Sequence, residues 1–221
     1  MRHFLDASEV AVRGKSGVGV AAPVRRAGQA RVLRIIGGSW RGRKLRFPAS
    51  HGLRPTPDRV RETLFNWLGT RAQDSRCLDL FAGSGALGLE ALSRGAAHAT
   101  FVEREVTAAR ELKARLLEWG AADARVEHTE ALAFLGRAAS AFDLVFLDPP
   151  FDSDLLPRAA ALLEHGGWLT PRALIYVEFA ARNGAPALPP AWTLLKAKQA
   201  GEVGYHLYAR AALNAPTPHE T

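Results

Sequence analysis

The stretch from Cys77 to Gly88, CLDLFAGSGALG, places one acid and three glycines at a spacing suited to holding a ligand. Cys77, Leu78, Leu80 and Phe81 form the short apolar run expected of a strand covered on both faces. Ala82-Gly83-Ser84-Gly85 breaks that run, and Ala86, Leu87, Leu89, Ala91 and Leu92 follow at helical spacing. A glycine turn between strand and helix points backbone N–H groups and the positive end of a helix dipole into a crevice, a place for a nucleotide-like cofactor. Gly83, Gly85 and Gly88 satisfy G-x-G-x-x-G, and Glu103 lies 20 positions past Gly83. This pattern fits NAD and S-adenosylmethionine alike. Asp79 separates them: an acid just ahead of the turn repels a pyrophosphate but suits the ammonium and sulfonium end of S-adenosylmethionine. The alternative for Asp79 is a capping role in the turn.

The second chemistry-bearing stretch is Asp148-Pro149-Pro150-Phe151, at the end of the apolar run FDLVFL. Two prolines after a buried strand stiffen the backbone and leave nearby carbonyls without ladder donors. An exocyclic amine on a nucleobase has two N–H donors; Asp148 and the Pro149 carbonyl can accept both while Phe151 stacks on the ring. Holding both hydrogens concentrates lone-pair density on nitrogen and aims it at the methyl carbon of the cofactor. Such a transfer needs no metal and no covalent enzyme intermediate.

The elements that must position these residues alternate strand and helix. Strands are expected at 99–103, 125–128, 142–147 and 174–179, and helices at 105–119, 130–137 and 154–164. Strands at 193–198 and 203–210 follow, paired as an antiparallel hairpin at the sheet edge. This order predicts a mostly parallel seven-stranded sheet with helices on both faces and ligands at the carboxyl ends of the strands. Ahead of it, RVLRIIGGSWRGRKLRF reads as a small β-hairpin carrying Arg34, Arg41, Arg43, Lys44 and Arg46 around Trp40. Cations interleaved with an aromatic grip phosphates and offer a stacking face to an unpaired base; a solvated hairpin with Trp40 packed on the body is the plainer alternative. LRPTPDRVRETLFNWL predicts a helix with Thr56 as N-cap, Pro57 at the first helical position, and Arg59, Arg61 and Glu62 exposed. Arg54, Arg59 and Arg61 are candidates for binding RNA phosphate or for pairing with acids on the body.

The 221 residues suffice for one full-sized domain with a core of its own. The expected divisions are a disordered basic extension over 1–30, a hairpin and helix for RNA binding over 31–70, a catalytic domain over 71–212 and a disordered tail over 213–221. The formal net charge is +7, distributed unevenly. Residues 1–62 carry 14 Lys or Arg against 4 Asp or Glu, and the rest carry 15 against 18. A basic N-terminal third on a mildly acidic body points to a polyanion partner. A single cysteine excludes an intramolecular disulfide and fits a reducing compartment. No apolar run approaches the ~20 residues of a membrane span and no signal-peptide pattern opens the chain, so a soluble cytoplasmic protein is expected.

DLFAGSGALGLEALSRGA, Glu103 and DPPF together resemble a class I S-adenosylmethionine-dependent methyltransferase of the amino-methylating type. RIIGGSWRGRKL, LRPTPDRVRETLFNWL, GWL and ALIYVE resemble the bacterial 16S ribosomal RNA guanine-N2 methyltransferase family. The resemblance runs from about Arg31 to Arg210. It implies that Asp79, Gly83 and Gly85 border the methionine half of the cofactor, with Phe81 and Ser84 in the same turn. It implies further that Glu103 accepts from the ribose hydroxyls, that Glu130 and Ala131 stand near the adenine, and that Asp148, Pro149, Pro150 and Phe151 form the target-amine site. Asp148 stands where many amino-methylating relatives carry Asn, and Phe151 where others carry Tyr, so guanine N2 and adenine N6 both remain open. The implied substrate is 16S ribosomal RNA within a small-subunit assembly particle, met by a monomer without metal. The alternatives are an amino-methyltransferase on DNA or protein, a non-catalytic RNA-binding assembly protein, and an NAD oxidoreductase.

Overall fold

The computed structural model describes residues 31–47 and 56–211. The expected extension over 1–30, the tail over 213–221 and Arg54 lie outside the described residues.

The apolar runs become a seven-stranded sheet. Its strands are β3 (Arg76–Asp79), β4 (His98–Glu103), β5 (Ala124–His128), β6 (Phe142–Leu147), β7 (Leu169–Ala180), β8 (Trp192–Ala200) and β9 (Val203–Arg210). They lie in the order β5-β4-β3-β6-β7-β9-β8. The pairs β3–β4, β3–β6, β4–β5 and β6–β7 are parallel, whereas β9 is antiparallel to both β7 and β8. Sequential strands run outward from β3 to β5, and the chain then returns to β3's other side with β6. The order therefore reverses between β3 and β6, where open α/β sheets bind their ligands.

Strand alternation sends the side chains of β3, β4, β6 and β7 into two separate cores. Cys77, Phe101, Phe146 and Tyr176 pack with α1 (Asp58–Leu68), α2 (Ala86–Ser93) and α3 (Val106–Glu118). Leu78, Val102, Leu147 and Val177 pack on the opposite face with α4 (Ala131–Leu135) and α5 (Leu155–His165). The start of β7 departs from the expected 174–179. The strand begins at Leu169, opposite Phe142, with a register shift before Leu144, and Pro171 and Arg172 are exposed within it.

The N-terminal hairpin, β1 (Arg31–Arg34) and β2 (Lys44–Phe47), pairs in antiparallel register. Leu33, Ile35 and Leu45 join the core of α1, α2 and α3, so the hairpin is packed on the body. Its turn docks on the end of α2. The Ser93 hydroxyl donates to the Gly37 carbonyl at 2.5 Å and accepts the Trp40 N–H at 2.9 Å, and the Ser39 N–H reaches the Ser93 carbonyl at 2.7 Å. Gly38 sits at φ +75°, and a Cβ there would lie 1.7 Å from the Ser93 carbonyl oxygen.

Helix α1 begins later than the sequence suggested. Pro57 occupies the N-cap position, and Thr56 makes no capping bond. Its hydroxyl instead crosses to Glu178 on β7 at 2.8 Å. No helix among the described residues is long and apolar enough to cross a membrane.

Gly38→Ala is expected to destabilise the protein by at least about 2 kcal/mol in urea unfolding, since it combines left-handed backbone strain with a backbone collision. Gly37→Ala is expected to be milder, because the group its Cβ meets is the flexible Arg94 guanidinium. Equal unfolding midpoints for the two variants would refute this account.

Candidate active site

Four neighbouring strands each bring an acid to the same edge and the same face. Asp79 closes β3, Glu103 closes β4, Asp148 follows β6 and Glu178 lies near the end of β7. Each is two residues beyond a side chain of the α1, α2 and α3 core: Cys77, Phe101, Phe146 and Tyr176. The two-residue period of a strand therefore points all four acids toward that layer. Asp79 pairs with Phe146, and the Leu80 N–H donates to the Phe146 carbonyl at 3.2 Å. The glycine turn and the Asp-Pro-Pro-Phe corner thus stand side by side at the switch point.

The turn is held from both sides. The Ala82 N–H bonds the Val102 carbonyl at 2.9 Å, and the Gly85 N–H bonds the Ala82 carbonyl at 2.6 Å. Gly85 is the N-cap of α2 at φ +76° and offers no side chain, so Asp79 supplies the cap from the preceding strand, its Oδ2 accepting the Gly88 N–H at 3.1 Å. A Cβ at Gly88 would come within 2.3 Å of the Phe101 ring, so helix and strand approach closely enough for that bond. The capping and ligand-binding readings of Asp79 are thus compatible: one oxygen caps, and a carboxylate retains further acceptor sites. Glu103 accepts the Gly83 N–H at 2.7 Å and the Glu105 N–H at 2.7 Å, one on each oxygen, which fixes its carboxylate beside the turn. Phe81 and Ser84 are half-buried beside it. Glu130 is exposed at the N-cap of α4, and Ala131 is buried behind it.

At the second corner Pro149 is buried, Asp148 and Phe151 are half-buried, and Pro150 is exposed. The Pro150 carbonyl accepts the Ser153 hydroxyl at 2.6 Å, whereas the Pro149 carbonyl accepts no hydrogen bond among the described residues. Asp148 and the Pro149 carbonyl are thus neighbouring acceptors in the chain, with half-buried Phe151 following them.

The electrostatics of this edge are unusual. Asp79 is pushed up to about 7, chiefly by burial and then by Glu103 and Glu178, against the lowering effect of the Gly88 N–H. Burial also raises Asp148, helped by Glu178 and Asp79 and opposed by the Thr56 hydroxyl. Glu178, 3% exposed, is raised by burial against hydroxyl donors from Thr56 and Tyr176 at 2.8 and 2.9 Å. Among the described residues none of the four acids forms an ion pair with a lysine or arginine. Clustered, desolvated acids without a cation of their own fit a ligand that brings positive charge, as the methionine end of S-adenosylmethionine does. Cys77 is buried and its thiol is pushed up to about 12, which makes it an inert core group.

The basic residues divide. Arg34, Arg41, Arg43, Lys44 and Arg59 are exposed. Arg61, expected on the exposed face, is instead fully buried: it reaches Asp58 at 2.6 Å, the Arg34 carbonyl at 2.8 Å and Glu90 at 3.3 Å. It occupies the α1 position one residue after buried Val60 and three before buried Leu64, on the core side of the helix. It is therefore a structural cation and not an RNA contact. Trp40 is half-buried, edge-on to Trp119 with ring centroids 5.2 Å apart, so it packs on the body and is no free stacking platform. Arg43 lies over Trp119 at 5.3 Å.

Motif spacing assigns no role to Glu90 or Glu178. Each is an acid inside an apolar run, LGLEAL and IYVEFA, and that placement is the signal that marks a buried, partnered charge.

The family model described as "Conserved hypothetical protein 95" matches residues 33–209. Ribosomal RNA small subunit methyltransferase D of Escherichia coli strain K12 is 53% identical over 180 residues, covering 81% of this chain and 91% of that protein. The protein of the same name from Haemophilus influenzae is 51% identical over 181 residues, covering 80% and 93%. A solved Escherichia coli structure described as a methyltransferase, yhhF, superposes with a TM-score of 0.78 at 50% identity, covering 82% of this chain and 99% of that one. Sequence match and fold agree with the acid-lined crevice, and the chain belongs to the Conserved hypothetical protein 95 family of class I methyltransferases, with S-adenosylmethionine as its cofactor.

Proposed function

We propose that the protein methylates the exocyclic N2 amine of a guanine in the 16S RNA of the small ribosomal subunit. The observation that carries this reading is the pairing of β3 with β6, which sets Asp79 and the glycine turn beside Asp148 and Pro149 in one crevice. The names of the relatives support ribosomal RNA as the substrate class, and the exposed Arg34, Arg41, Arg43, Lys44 and Arg59 support a polyanion.

S-adenosylmethionine supplies an electrophilic methyl group in this reaction. Asp79 attracts the charged methionine end, the turn from Phe81 to Gly85 gives it a wall, Glu103 accepts from the ribose hydroxyls, and Glu130 with Ala131 borders the adenine. Asp148 and the Pro149 carbonyl accept the two N–H groups of the target amine, which orients its lone pair. Pro150 stiffens the corner, and Phe151 stacks on the base. The exposed cations of the hairpin and α1 hold phosphates outside the crevice.

Label from S-adenosylmethionine is expected in 16S RNA from a deletion strain, appearing as N2-methylguanosine by nucleoside mass spectrometry; N6-methyladenosine, or label in DNA or protein alone, overturns the assignment. Asp148→Ala is expected to lower turnover by about 100-fold while RNA binding persists. Arg41→Ala combined with Arg43→Ala is expected to weaken RNA binding and to flatten the dependence of log affinity on log salt, by about one in slope for each phosphate left without its cation.

Asp79 gives a pH test. Its carboxyl is raised to about 7 in the free protein, and a cationic ligand favours the carboxylate, so binding below that pH releases a proton. Calorimetric affinity for S-adenosylmethionine is expected to tighten as pH rises through about 7, and Asp79→Asn to bind more weakly with little of that dependence. The sign for stability is opposite. The folded state keeps a proton that the unfolded chain has already released, so this group alone lowers the free protein's stability as pH rises between its ordinary value and about 7.

A further inference from the structure

Glu178 has no task in the reaction just described, yet its carboxylate is buried within β7. Burying an acid is costly unless it is partnered. Leu147 pairs with Val177, so the next positions on the two strands, Asp148 and Glu178, lie side by side. The Thr56 hydroxyl, from the segment just ahead of α1, donates to Glu178 Oε1 at 2.8 Å, and it stands near enough to the Asp148 carboxylate to lower that acid as a donor does. The Tyr176 hydroxyl donates to the same Glu178 oxygen at 2.9 Å. A hydroxyl carries one proton and donates to one carboxylate at a time. With both acids ionised that proton goes to Glu178, and once the pair takes up one proton the newly protonated acid can donate to the hydroxyl oxygen.

We propose that Asp148, Thr56 and Glu178 form one proton-sharing unit. In it Glu178 acts as a positioning residue that receives, through the Thr56 hydroxyl, the proton that the methylated amine gives to Asp148. The proposal rests on the amine-methylation reading above. The newly methylated nitrogen is cationic and holds one proton in excess. Its N–H bond breaks with the electron pair left on nitrogen, and the proton bonds to an Asp148 oxygen. Asp148 then donates to the Thr56 oxygen as the Thr56 proton passes to Glu178 Oε1. Asp148 returns to the carboxylate, Thr56 keeps one proton and Glu178 ends as the neutral acid. No oxidant, reductant or further reactant enters.

The surroundings favour this storage. Glu178 faces Asp148 on β6, Asp79 on β3, Thr56 ahead of α1, Tyr176 on its own strand and Tyr205, its register partner on β9. None of these is a cation. Burial, and for Asp148 the neighbouring acids, raise both members of the pair, so the pair holds a proton more firmly than solvent-exposed carboxylates do.

The test is single-turnover methylation of 16S RNA by the full chain as a function of pH. Glu178→Gln preserves an acceptor for Thr56 and Tyr176. It is expected to slow methyl transfer about tenfold or more while affinity for RNA stays unchanged and, above about pH 7 where Asp79 is ionised, affinity for S-adenosylmethionine does too. Its acidic limb is expected to move to lower pH, because Asp148 no longer faces a like charge. Thr56→Val is expected to slow transfer to the same extent, Thr56→Ser to recover most of that loss, and the Glu178→Gln, Thr56→Val double variant to be no slower than either single one. A wild-type rate and an unshifted limb in Glu178→Gln, or losses that multiply in the double variant, overturn the proposal. Should Glu178→Gln melt without cooperativity, the contrast between Thr56→Val and Thr56→Ser decides by itself. Absence of methyl transfer in the wild type counts against the amine-methylation reading, whereas an active wild type matched by every variant counts against the relay alone.

Discussion

Glu90 is the joint on which the arrangement depends. Its carboxylate, fully buried on α2, accepts the Ile36 N–H and the Gly37 N–H at 2.8 Å each, Arg94 Nε at 2.8 Å and Arg61 Nη1 at 3.3 Å. Each oxygen receives one backbone and one side-chain donor. A carboxylate buried alone would carry a desolvation penalty of several kcal/mol, and only a near-complete set of partners offsets it. Because those partners come from the hairpin turn, α1 and α2, satisfying the charge also fixes the basic hairpin against the helix that opens at the glycine turn. Arg61 extends the network to Asp58 and to the Arg34 carbonyl, tying the first strand of the hairpin to α1.

The same network explains the crevice. Arg61 and Arg94 are cations of the α1 and α2 layer, and both are engaged by Glu90. Asp79, Asp148 and Glu178 are left with hydroxyl and backbone donors, which are weaker partners than a guanidinium. The protein therefore holds two kinds of buried acid. Glu90 is paired within the fold and serves rigidity; Asp79, Asp148 and Glu178 are under-compensated and hold their protons unusually tightly. Such a departure from local consistency is expected at a site whose missing charge arrives with a ligand.

Much of this was legible in the chain. Strand periods, the glycine turn, the acid at Glu103 and the proline corner are local patterns, and the elements they predicted match the observed ones to within a few residues. The parts that escaped are long-range. The Thr56 hydroxyl bonds an acid 122 positions away, in preference to the cap that local pattern assigned it. The apolar stripe of α1 predicts Arg61 on its exposed side, yet the residue lies fully buried against Glu90, 29 positions distant. Periodicity reports which face a residue occupies but not the identity of its partner. The early start of β7 escapes local pattern for a different reason: a proline inside a strand signals a break, yet Pro171 and Arg172 are exposed beside the register shift that accommodates them.

Charge sign gives the two halves of the molecule distinct work under the proposed function. Among the described residues the crevice edge carries acids without cations, and the hairpin and outer face of α1 carry exposed cations. A nucleotide presents the same division, with a negative phosphate and a neutral base whose exocyclic amine offers hydrogen-bond donors. Acids in a partly desolvated crevice repel phosphate strongly because the low local dielectric screens them poorly, while the same acids accept amine donors. Cations on the solvated rim attract phosphate over roughly a Debye length of about 8 Å at physiological salt. Backbone and base are thereby sorted before any base-specific contact forms. That sorting requires the rim cations to stay clear of the acids, and the burial of Arg61 against Glu90 keeps the most inward of the α1 arginines from reaching them.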